Sequence, residues 1–174
     1  MELIGRMLDG SIPYGPEAAL EPVSSGPGSR QEDKVERLRD VPMFQECSAR
    51  QLRSIAKIAR VFDVPAEAVL TRAGEPGDEF FLIVDGTARA QVSVDKQVPL
   101  PPGAFFGEMS LLDGGPRSAT VVASTPIRML VIDRENFSVL LKEVPGLTQN
   151  LLVTLSRRVR QAEERLKRQP EAAT

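Results

Sequence analysis

Apolar residues change their spacing twice along the chain, and the two changes divide it into three parts. From residue 49 to residue 59 they recur three and four positions apart, and Ser48 precedes this run as a candidate N-cap. The charged stretch 31–40 is also helical in composition. We therefore predict N-terminal helices within residues 31–59, the second with an apolar face of Leu52, Ile55, Ala56 and Ala59.

Residues 60–133 show the spacing of short strands instead. Runs rich in β-branched and aromatic residues are separated by turn residues, such as Asp85-Gly86. The predicted strands are 61–64, 69–72, 80–84, 87–94, 98–100, 119–123 and 127–132. Short strands at this spacing predict a small antiparallel barrel or jelly roll.

The helical spacing returns in residues 134–169. A helix is predicted over 134–143, Pro145-Gly146 interrupts the chain, and a last helix is predicted over 147–168. The last helix carries a short heptad seam of Leu152, Leu155, Val159, Ala162 and Leu166. The seam could join two copies of the chain through residues 152–166, or the helix could lie on the protein's own barrel. Both can hold along different parts of the helix.

Glycine, proline and serine dominate residues 11–29, so this part lacks the apolar residues needed to order itself. We predict a flexible tail over residues 1–30. At its start, apolar residues 3, 4, 7 and 8 have helical spacing, and a short docking helix is therefore the alternative to a disordered terminus.

Composition limits the possible functions. The 174 residues contain no histidine, which removes the commonest general base and metal ligand, and the one cysteine, Cys47, has no base beside it. We therefore expect neither catalysis nor a metal site, and we expect Cys47 to be a core or cap-adjacent residue. The net charge of −2 gives no overall attraction to nucleic acid or to an anionic membrane. No apolar run could span a bilayer and no signal peptide opens the chain, so we expect a cytoplasmic protein.

The candidate binding chemistry is concentrated in residues 105–120. Gly107 permits close approach of the backbone to a ligand, and the next residues can form one helical turn whose free N–H groups face an anion. After the chain reverses at residues 114–116, Arg117 can grip two oxygens of one phosphate, with the Ser118 hydroxyl beside it. Glu108 would repel a phosphate, so it should accept a hydrogen bond from a sugar hydroxyl or pair with an arginine. Phosphate and hydroxyl together predict a nucleotide site.

Two other interpretations of this stretch are open. It could be a polar hairpin in which Arg117 only protects an edge strand, or a binding loop that has kept its shape and lost its ligand. The first does not explain the glycine before Glu108, and the presence of both polar anchors argues against the second.

The residues Phe-Gly-Glu-Met-Ser-Leu-Leu at 106–112, followed by Pro-Arg-Ser-Ala-Thr at 116–120, resemble the signature of the cyclic nucleotide-binding domain. Bacterial catabolite activator proteins, regulatory subunits of protein kinase A and cyclic nucleotide-gated channels share this type of signature. The resemblance extends over roughly residues 40–166, with Gly74 and Gly86 at turns of the barrel, and does not cover the first forty residues.

The resemblance implies a mainly β fold with flanking helices. That fold is an eight-stranded β-roll of the jelly-roll type, a double-stranded β-helix, over residues 60–133. It would have an N-terminal helix and two C-terminal helices of the family's B and C type. The implied ligand is a cyclic nucleotide, with cAMP expected over cGMP because cGMP-selective members tend to carry threonine where this chain has Ser118.

The implied binding residues come from the cassette, by which we mean residues 105–120, and from the last helix. In the cassette they are Phe106, Gly107, Glu108, Met109, Ser110, Leu111, Pro116, Arg117, Ser118, Ala119 and Thr120. On the last helix the expected lid contacts are Arg158, Ala162 and Glu163, and Arg158 is expected to reach back to Glu108.

The leading functional hypothesis is a soluble, non-enzymatic signalling receptor of bacterial type whose C-terminal helix moves when the nucleotide binds. One alternative is a transcription regulator, although the chain ends at Thr174 without the helix-turn-helix module of that family. Another is a regulatory subunit that restrains a partner enzyme, with an effector that the sequence does not identify. The basic residues between Arg157 and Arg168 are interpreted as a solvated helix face rather than as a nucleic-acid contact.

Overall fold

The structure is a computed structural model, and it describes residues 31–41 and 44–168. Two helices, α1 (Gln31–Arg39) and α2 (Ala49–Ile58), come first. The strands are β1 (Arg60–Val64), β2 (Val69–Thr71), β3 (Glu79–Asp85), β4 (Ala88–Ser93), β5 (Lys96–Leu100), β6 (Phe105–Phe106), β7 (Thr120–Ala123) and β8 (Ile127–Asp133). Helix α3 (Glu108–Asp113) lies between β6 and β7, and α4 (Arg134–Glu143) and α5 (Leu147–Arg168) follow β8.

The eight strands form two four-stranded antiparallel sheets, in the orders β1-β8-β3-β6 and β2-β7-β4-β5. The predicted β-roll with flanking helices is confirmed, and the seven strands expected from the spacing are present with small shifts at their ends. The eighth strand, β6, was not predicted from the spacing because two residues are too few to show a period. It pairs Phe106 with Phe81 and Phe105 with Leu82, and so attaches the start of the cassette to β3.

Strand β3 is buried on both faces, which explains why its sequence is a continuous apolar run rather than an alternation. Phe81 and Ile83 belong to the core between the two sheets. Phe80 and Leu82 belong to a second core, which packs the other face of β3 and β8 against the helices. The helical residues of that second core include Leu38, Leu52, Ile55, Phe137, Leu140, Leu147 and Leu151.

The helix starts follow from local sequence. The Ser48 hydroxyl accepts a hydrogen bond from the Gln51 amide at 3.2 Å, and the Ser48 amide donates to the Gln51 side chain at 2.8 Å, which is a capping box. Asp133 caps α4 by accepting from the Asn136 amide at 3.1 Å. Cys47 is half-buried against the helical core, as expected, and burial raises the pKa of its thiol.

Helix α5 divides into a part that is packed on the domain and a part that is exposed, and the joining of two copies through residues 152–166 stays a prediction. Leu147 and Leu151 are buried in the helical core, so the first turns lie on the protein's own domain. Leu152, Val159 and Leu166 are 56%, 57% and 70% exposed, so the seam faces away from the domain. The predicted tail over residues 1–30, with the short helix at its start, lies outside the described residues.

Candidate functional site

The cassette begins with a backbone conformation that requires glycine. Gly107 has φ 87°, and a Cβ built there would lie 2.6 Å from the Glu79 carbonyl oxygen and 2.8 Å from Arg117 Nη1. No other residue could hold this conformation so close to its neighbours without displacing them. Gly107 therefore starts α3 with its first residue, Glu108, directed into the domain, where Glu108 is 1% exposed.

Arg117 is buried in the wall of the domain with its guanidinium held on one side. Nη1 donates to the Glu79 carbonyl oxygen at 2.9 Å and to the Gly107 carbonyl oxygen at 3.1 Å. The guanidinium carbon lies 5.4 Å from the centre of the Phe81 ring, within the range of a cation–π contact. Within the described residues, no acceptor contacts Nε or Nη2. The second edge of the guanidinium fork is therefore available to an anion.

The loop between β2 and β3 supports Arg117 from behind. The Arg117 amide donates to the Glu75 carbonyl oxygen at 2.8 Å, and the Gly74 amide donates to the Arg117 carbonyl oxygen at 2.8 Å. Any Cβ at Gly77 would overlap the guanidinium, so glycine is required for Arg117 to pack there. Burial lowers the pKa of Arg117, although the carboxylates of Glu79 and Asp78 oppose the shift. Arginine nevertheless remains charged at neutral pH. The Arg117 guanidinium is therefore a positive charge that is largely shielded from water.

Glu108 has a partner on α5. Its Oε1 accepts a hydrogen bond from Arg158 Nη1 at 2.6 Å, and the Arg158 side chain is 44% exposed. The predicted reach of Arg158 to Glu108 is thus present. A buried carboxylate is stabilised by such a charge-assisted hydrogen bond, and it retains further lone pairs for other donors. The contact joins the cassette to a helix that begins forty residues later in the chain.

The cassette, the strands next to it, the β4–β5 hairpin and α5 line a cavity of about 480 Å³. The cassette supplies one wall with Arg117 and Glu108. The β4–β5 hairpin supplies an apolar wall of Ala90, Val92, Val98 and Leu100, with Lys96 at its edge. Helix α5 supplies the opposite, polar wall of Thr154, Arg157, Arg158, Gln161 and Arg165. A cavity of this size and lining fits an organic anion that has a flat apolar part.

The cavity wall carries more positive than negative side chains. Five cations line it, namely Lys96, Arg117, Arg157, Arg158 and Arg165, whereas Glu108 is the one carboxylate among the lining residues. Arg158 is already paired with Glu108, but the rest of the wall attracts an anion. Chemically, the arrangement can bind a phosphate at Arg117 and accept a hydroxyl at Glu108.

Most of the predicted cassette residues lie together on this cavity. Those that line it are Phe106, Gly107, Glu108, Met109, Ser110, Arg117, Ser118 and Ala119. Three do not: Leu111 packs against the helical core, Pro116 is exposed in the reversal, and the Thr120 hydroxyl accepts a hydrogen bond from the Ala73 amide. These three therefore shape the cassette from outside the cavity.

The expected lid contacts at Ala162 and Glu163 need a correction. Both are exposed, and neither lines the cavity. The reason is helical phase: viewed down the axis of α5, Thr154, Gln161 and Arg165 lie to one side of Arg158, whereas Ala162 and Glu163 lie to the other side. The first three line the cavity, and the sequence interpretation missed them.

Within the described ranges, residues 31–41 and 44–168, no group of three or more histidine, cysteine, aspartate or glutamate side chains is placed to hold a metal ion. In the same ranges, no helix combines the length and the apolar character that crossing a membrane requires.

The fold and the site together define a β-roll in which the cassette places Glu108 and Arg117 on one cavity. Residues 61–144 match the family model of the cyclic nucleotide-binding domain. This part of the chain belongs to the cyclic nucleotide-binding domain family, and the resemblance inferred from the signature is confirmed.

Relatives of known description agree with this assignment. The chain is 42% identical over 109 residues to a cyclic nucleotide-gated potassium channel of Mesorhizobium japonicum, an alignment that covers 63% of this chain and 30% of the channel. It is 26% identical over 133 residues to a CRP-like cAMP-activated global transcriptional regulator of Mycobacterium tuberculosis, covering 71% of this chain and 58% of the regulator. The chain spans about a third of the length of the curated potassium channels it matches.

A solved cyclic nucleotide-binding domain from Methylobacillus flagellatus is similar along almost its whole length. It superimposes with a TM-score of 0.65 at 28% identity, covering 92% of this chain and 96% of that one. The similarity therefore extends beyond the cassette to the flanking helices.

Proposed function

We propose that this chain is a non-enzymatic receptor for a cyclic nucleotide, cAMP in the first place, and that α5 transmits the signal. One observation carries the proposal: Arg117 and Glu108 are both buried on a single cavity, and Glu108 is hydrogen-bonded to α5 through Arg158. Glu108 thus serves both the ligand and the helix. The similarity to cyclic nucleotide-binding domains supports the choice of ligand.

The cyclic phosphate is assigned to Arg117. Its Nε and Nη2 form a planar edge with two donors, which matches two oxygens of one phosphate. Because Nη1 is held by two carbonyl oxygens, the fork is already oriented before a ligand arrives. Pre-orientation lowers the entropy cost of binding. Ser118 lies on the same wall and can donate its hydroxyl to a phosphate oxygen.

The ribose is assigned to Glu108. A buried carboxylate with one bond to Arg158 can accept a second hydrogen bond from the ribose 2′-hydroxyl. A 2′-deoxy nucleotide would leave that acceptor capacity unused, so the site should distinguish ribose from deoxyribose. Glu108 and Arg117 would then hold the sugar and the phosphate of the same nucleotide.

The base is assigned to the space between the β4–β5 hairpin and α5. The hairpin wall is apolar, which suits the face of a purine, and α5 offers the polar side chains of Thr154 and Gln161 to its edge. A glutamine side chain can accept a hydrogen bond from adenine N6 and donate one to adenine N7, as it does when proteins read adenine in DNA. Together with Ser118, this supports cAMP over cGMP.

The signal is assigned to the exposed part of α5. Nucleotide binding can move this helix only if the ligand binds one helix position more tightly than another. The bond between Arg158 and Glu108 and the α5 side chains on the cavity supply such a difference. The exposed seam residues Leu152, Val159 and Leu166 then meet the same residues of a second copy.

The first test is a calorimetric titration of the full chain with cAMP, cGMP, 2′-deoxy-cAMP and 5′-AMP. We expect cAMP to bind most tightly, with weaker binding of the deoxy compound and of the open, doubly charged 5′-AMP. Light scattering with and without cAMP tests the dimer. No heat from any of the four nucleotides would contradict the proposed receptor, and a monomer in both conditions would remove the dimer.

A further inference from the structure

The hairpin and α5 walls of the cavity carry positive charges that have no carboxylate beside them. Lys96 lies on the β4–β5 hairpin, and Arg157 and Arg165 lie on α5. In the part of the chain that the structure describes, none of these three side chains takes part in an ion pair. Arg158, by contrast, is paired with Glu108 at 2.6 Å. Three cations therefore line the cavity without a partner of opposite charge.

A cyclic mononucleotide carries too little charge to balance this wall. At neutral pH it has one negative charge, on the phosphate that is assigned to Arg117. The lining residues include five cations and one carboxylate, so their net charge is +4, and a bound mononucleotide lowers it only to +3. Like charges around one cavity repel each other. A second anionic group on the ligand would remove part of that repulsion.

The polar wall of α5 is also longer than a mononucleotide requires. The lining residues of α5 extend over eleven positions, from Thr154 to Arg165, which corresponds to roughly 16 Å along the helix axis. The ribose is assigned to Glu108 beside Arg158, and the base edge to Thr154 and Gln161. Arg165 lies one further helical turn along α5 than Gln161. It is therefore beyond the groups that a single nucleotide presents.

Lys96 and Arg165 lie toward the outer end of the cavity. On the hairpin, exposure rises from Leu100, which is buried, toward the turn, where Val94 is 90% exposed. On α5, exposure rises from the buried Leu151 to the exposed Arg165. Lys96 is the cation of the hairpin wall, and Arg165 is the last lining residue of α5. The two walls thus each place one cation toward solvent.

We propose that Lys96 and Arg165 form a second anion subsite, and that the cavity accepts a cyclic dinucleotide as well as a cyclic mononucleotide. The inference rests on the proposed function, because one half of the dinucleotide uses Arg117 and Glu108 as described above. Each half of a cyclic dinucleotide contains a phosphodiester and a ribose 2′-hydroxyl. The first half therefore satisfies the cassette, and the second presents its phosphodiester to the outer end, where arginine and lysine bind it by charge-assisted hydrogen bonds.

The dimensions of the cavity agree with this class of ligand. Its volume of about 480 Å³ lies within the range of roughly 300–1,000 Å³ that is usual for sites of organic ligands. The second half of the dinucleotide would lie toward the exposed end of α5, so the cavity does not need to enclose the whole molecule. Arg157, between the two anion subsites, adds to the attraction for both phosphodiesters.

The test compares cAMP with cyclic di-AMP by calorimetric titration of the full chain. We expect both to bind, and each to displace the other because they share Arg117. In the double variant Lys96→Gln/Arg165→Gln, cyclic di-AMP should bind about tenfold or more weakly, because charge-assisted hydrogen bonds are lost. The same variant should weaken cAMP by about threefold or less, because only a screened, longer-range attraction is lost.

The matched control is Lys142→Gln/Arg160→Gln, which also removes one lysine and one arginine charge. Both residues are exposed, and neither lines the cavity. This control should keep the ratio of the two affinities at its parent value. Arg165→Gln alone should lie between the parent and the double variant, and it keeps the test valid if the double variant does not fold. Thermal unfolding of each variant checks that its fold is intact.

A titration with cAMP in millimolar inorganic phosphate identifies the source of the second anion. We expect phosphate to leave the affinity for cAMP unchanged or to lower it. A higher affinity for cAMP in phosphate would mean that a separate anion occupies the outer end, which overturns the dinucleotide assignment.

The remaining outcomes separate this inference from the proposed function. Binding of cAMP without any binding of cyclic di-AMP overturns the inference alone. Equal losses for the two ligands in Lys96→Gln/Arg165→Gln, or the same losses in the control, would show that these cations act only by general attraction and would overturn the second subsite. Failure of the parent chain to bind either ligand contradicts the proposed function and this inference with it.

Discussion

The cassette and the outer part of α5 both face the same cavity, but they are built in opposite ways. Arg117 and Glu108 are 7% and 1% exposed, and the backbone around them is fixed by strands β3 and β6 and by the β2–β3 loop. Beyond Leu151, α5 buries none of its described residues, and Arg158 joins it to the cassette by a hydrogen bond to Glu108.

This difference indicates which region should provide the affinity for the nucleotide and which should move when it binds. A buried, pre-oriented site loses little entropy on binding, so the cassette should supply most of the affinity. A helix with few buried contacts is easily moved, so α5 should supply the response.

Replacing Arg117 should have the largest effect on binding. Arg117→Ala removes the charge-assisted partner of a buried phosphate, and such truncations cost about 2–5 kcal/mol. Calorimetry with cAMP should show this loss, while Arg89→Ala, which breaks an exposed pair with Glu67, should bind normally. Unchanged affinity in Arg117→Ala would contradict the assignment of the cassette.

Removing the outer part of α5 should weaken binding less than the loss of Arg117. A chain ending after Gly146 would also lose Leu147 and Leu151, which are buried in the core, so the cut belongs after Leu152. The shortened chain should fold, bind cAMP about tenfold or more weakly because one cavity wall is gone, and form no dimer. If it binds as tightly as the full chain, α5 is neither a lid nor a transmitter.

The link between the two regions is tested by a double-mutant cycle. Glu108→Ala should weaken cAMP binding by about 1–2 kcal/mol, less than Arg117→Ala, because a hydroxyl leaves no stranded charge. Arg158→Ala alone should cost less still, and the two changes should not be additive, since the side chains contact each other at 2.6 Å. Glu163→Ala, outside the cavity, is the matched control. Additive losses would mean that Arg158 does not position Glu108.

The smallest expected effect is on the preference for one nucleotide base over another. Thr154→Ala and Gln161→Ala should narrow the preference for cAMP over cGMP by a few-fold, with little change in total affinity, because they remove hydrogen bonds to the edge of the base. Competition titrations measure the ratio, and Ala162→Ser, at a position outside the cavity, serves as the control. Displacement of cAMP by cGMP at lower concentration would reverse the selectivity that we expect.

The cassette could be predicted from the sequence because its chemistry is local. Gly107, Glu108 and Arg117 lie within eleven positions, and a glycine that permits a left-handed backbone, a short helical turn and a fork-shaped donor are each visible in the sequence itself. Seven of the strands could be predicted for the same reason, because the spacing of apolar and turn residues is also a local feature of the sequence. The two-residue strand β6 could not, since only its pairing with β3 defines it.

The far wall of the cavity could not be predicted in the same way because it depends on tertiary placement. Arg158 was expected from its position in the helical period and Ala162 and Glu163 from the family resemblance, but the observed helix presents Thr154 and Gln161 to the cavity beside Arg158. The β4–β5 residues Ala90, Val92, Val98 and Leu100 are apolar, so their sequence does not mark them as part of a binding site.

The central claim is that a cyclic nucleotide binds in this cavity with its phosphate on Arg117. The most direct test is a crystal structure of the full chain with cAMP. We predict the cyclic phosphate within hydrogen-bond distance, about 3 Å, of Arg117 Nε and Nη2, and the ribose 2′-hydroxyl on Glu108. A nucleotide bound elsewhere on the domain, or in this cavity with its phosphate against α5 and away from Arg117, would contradict the account.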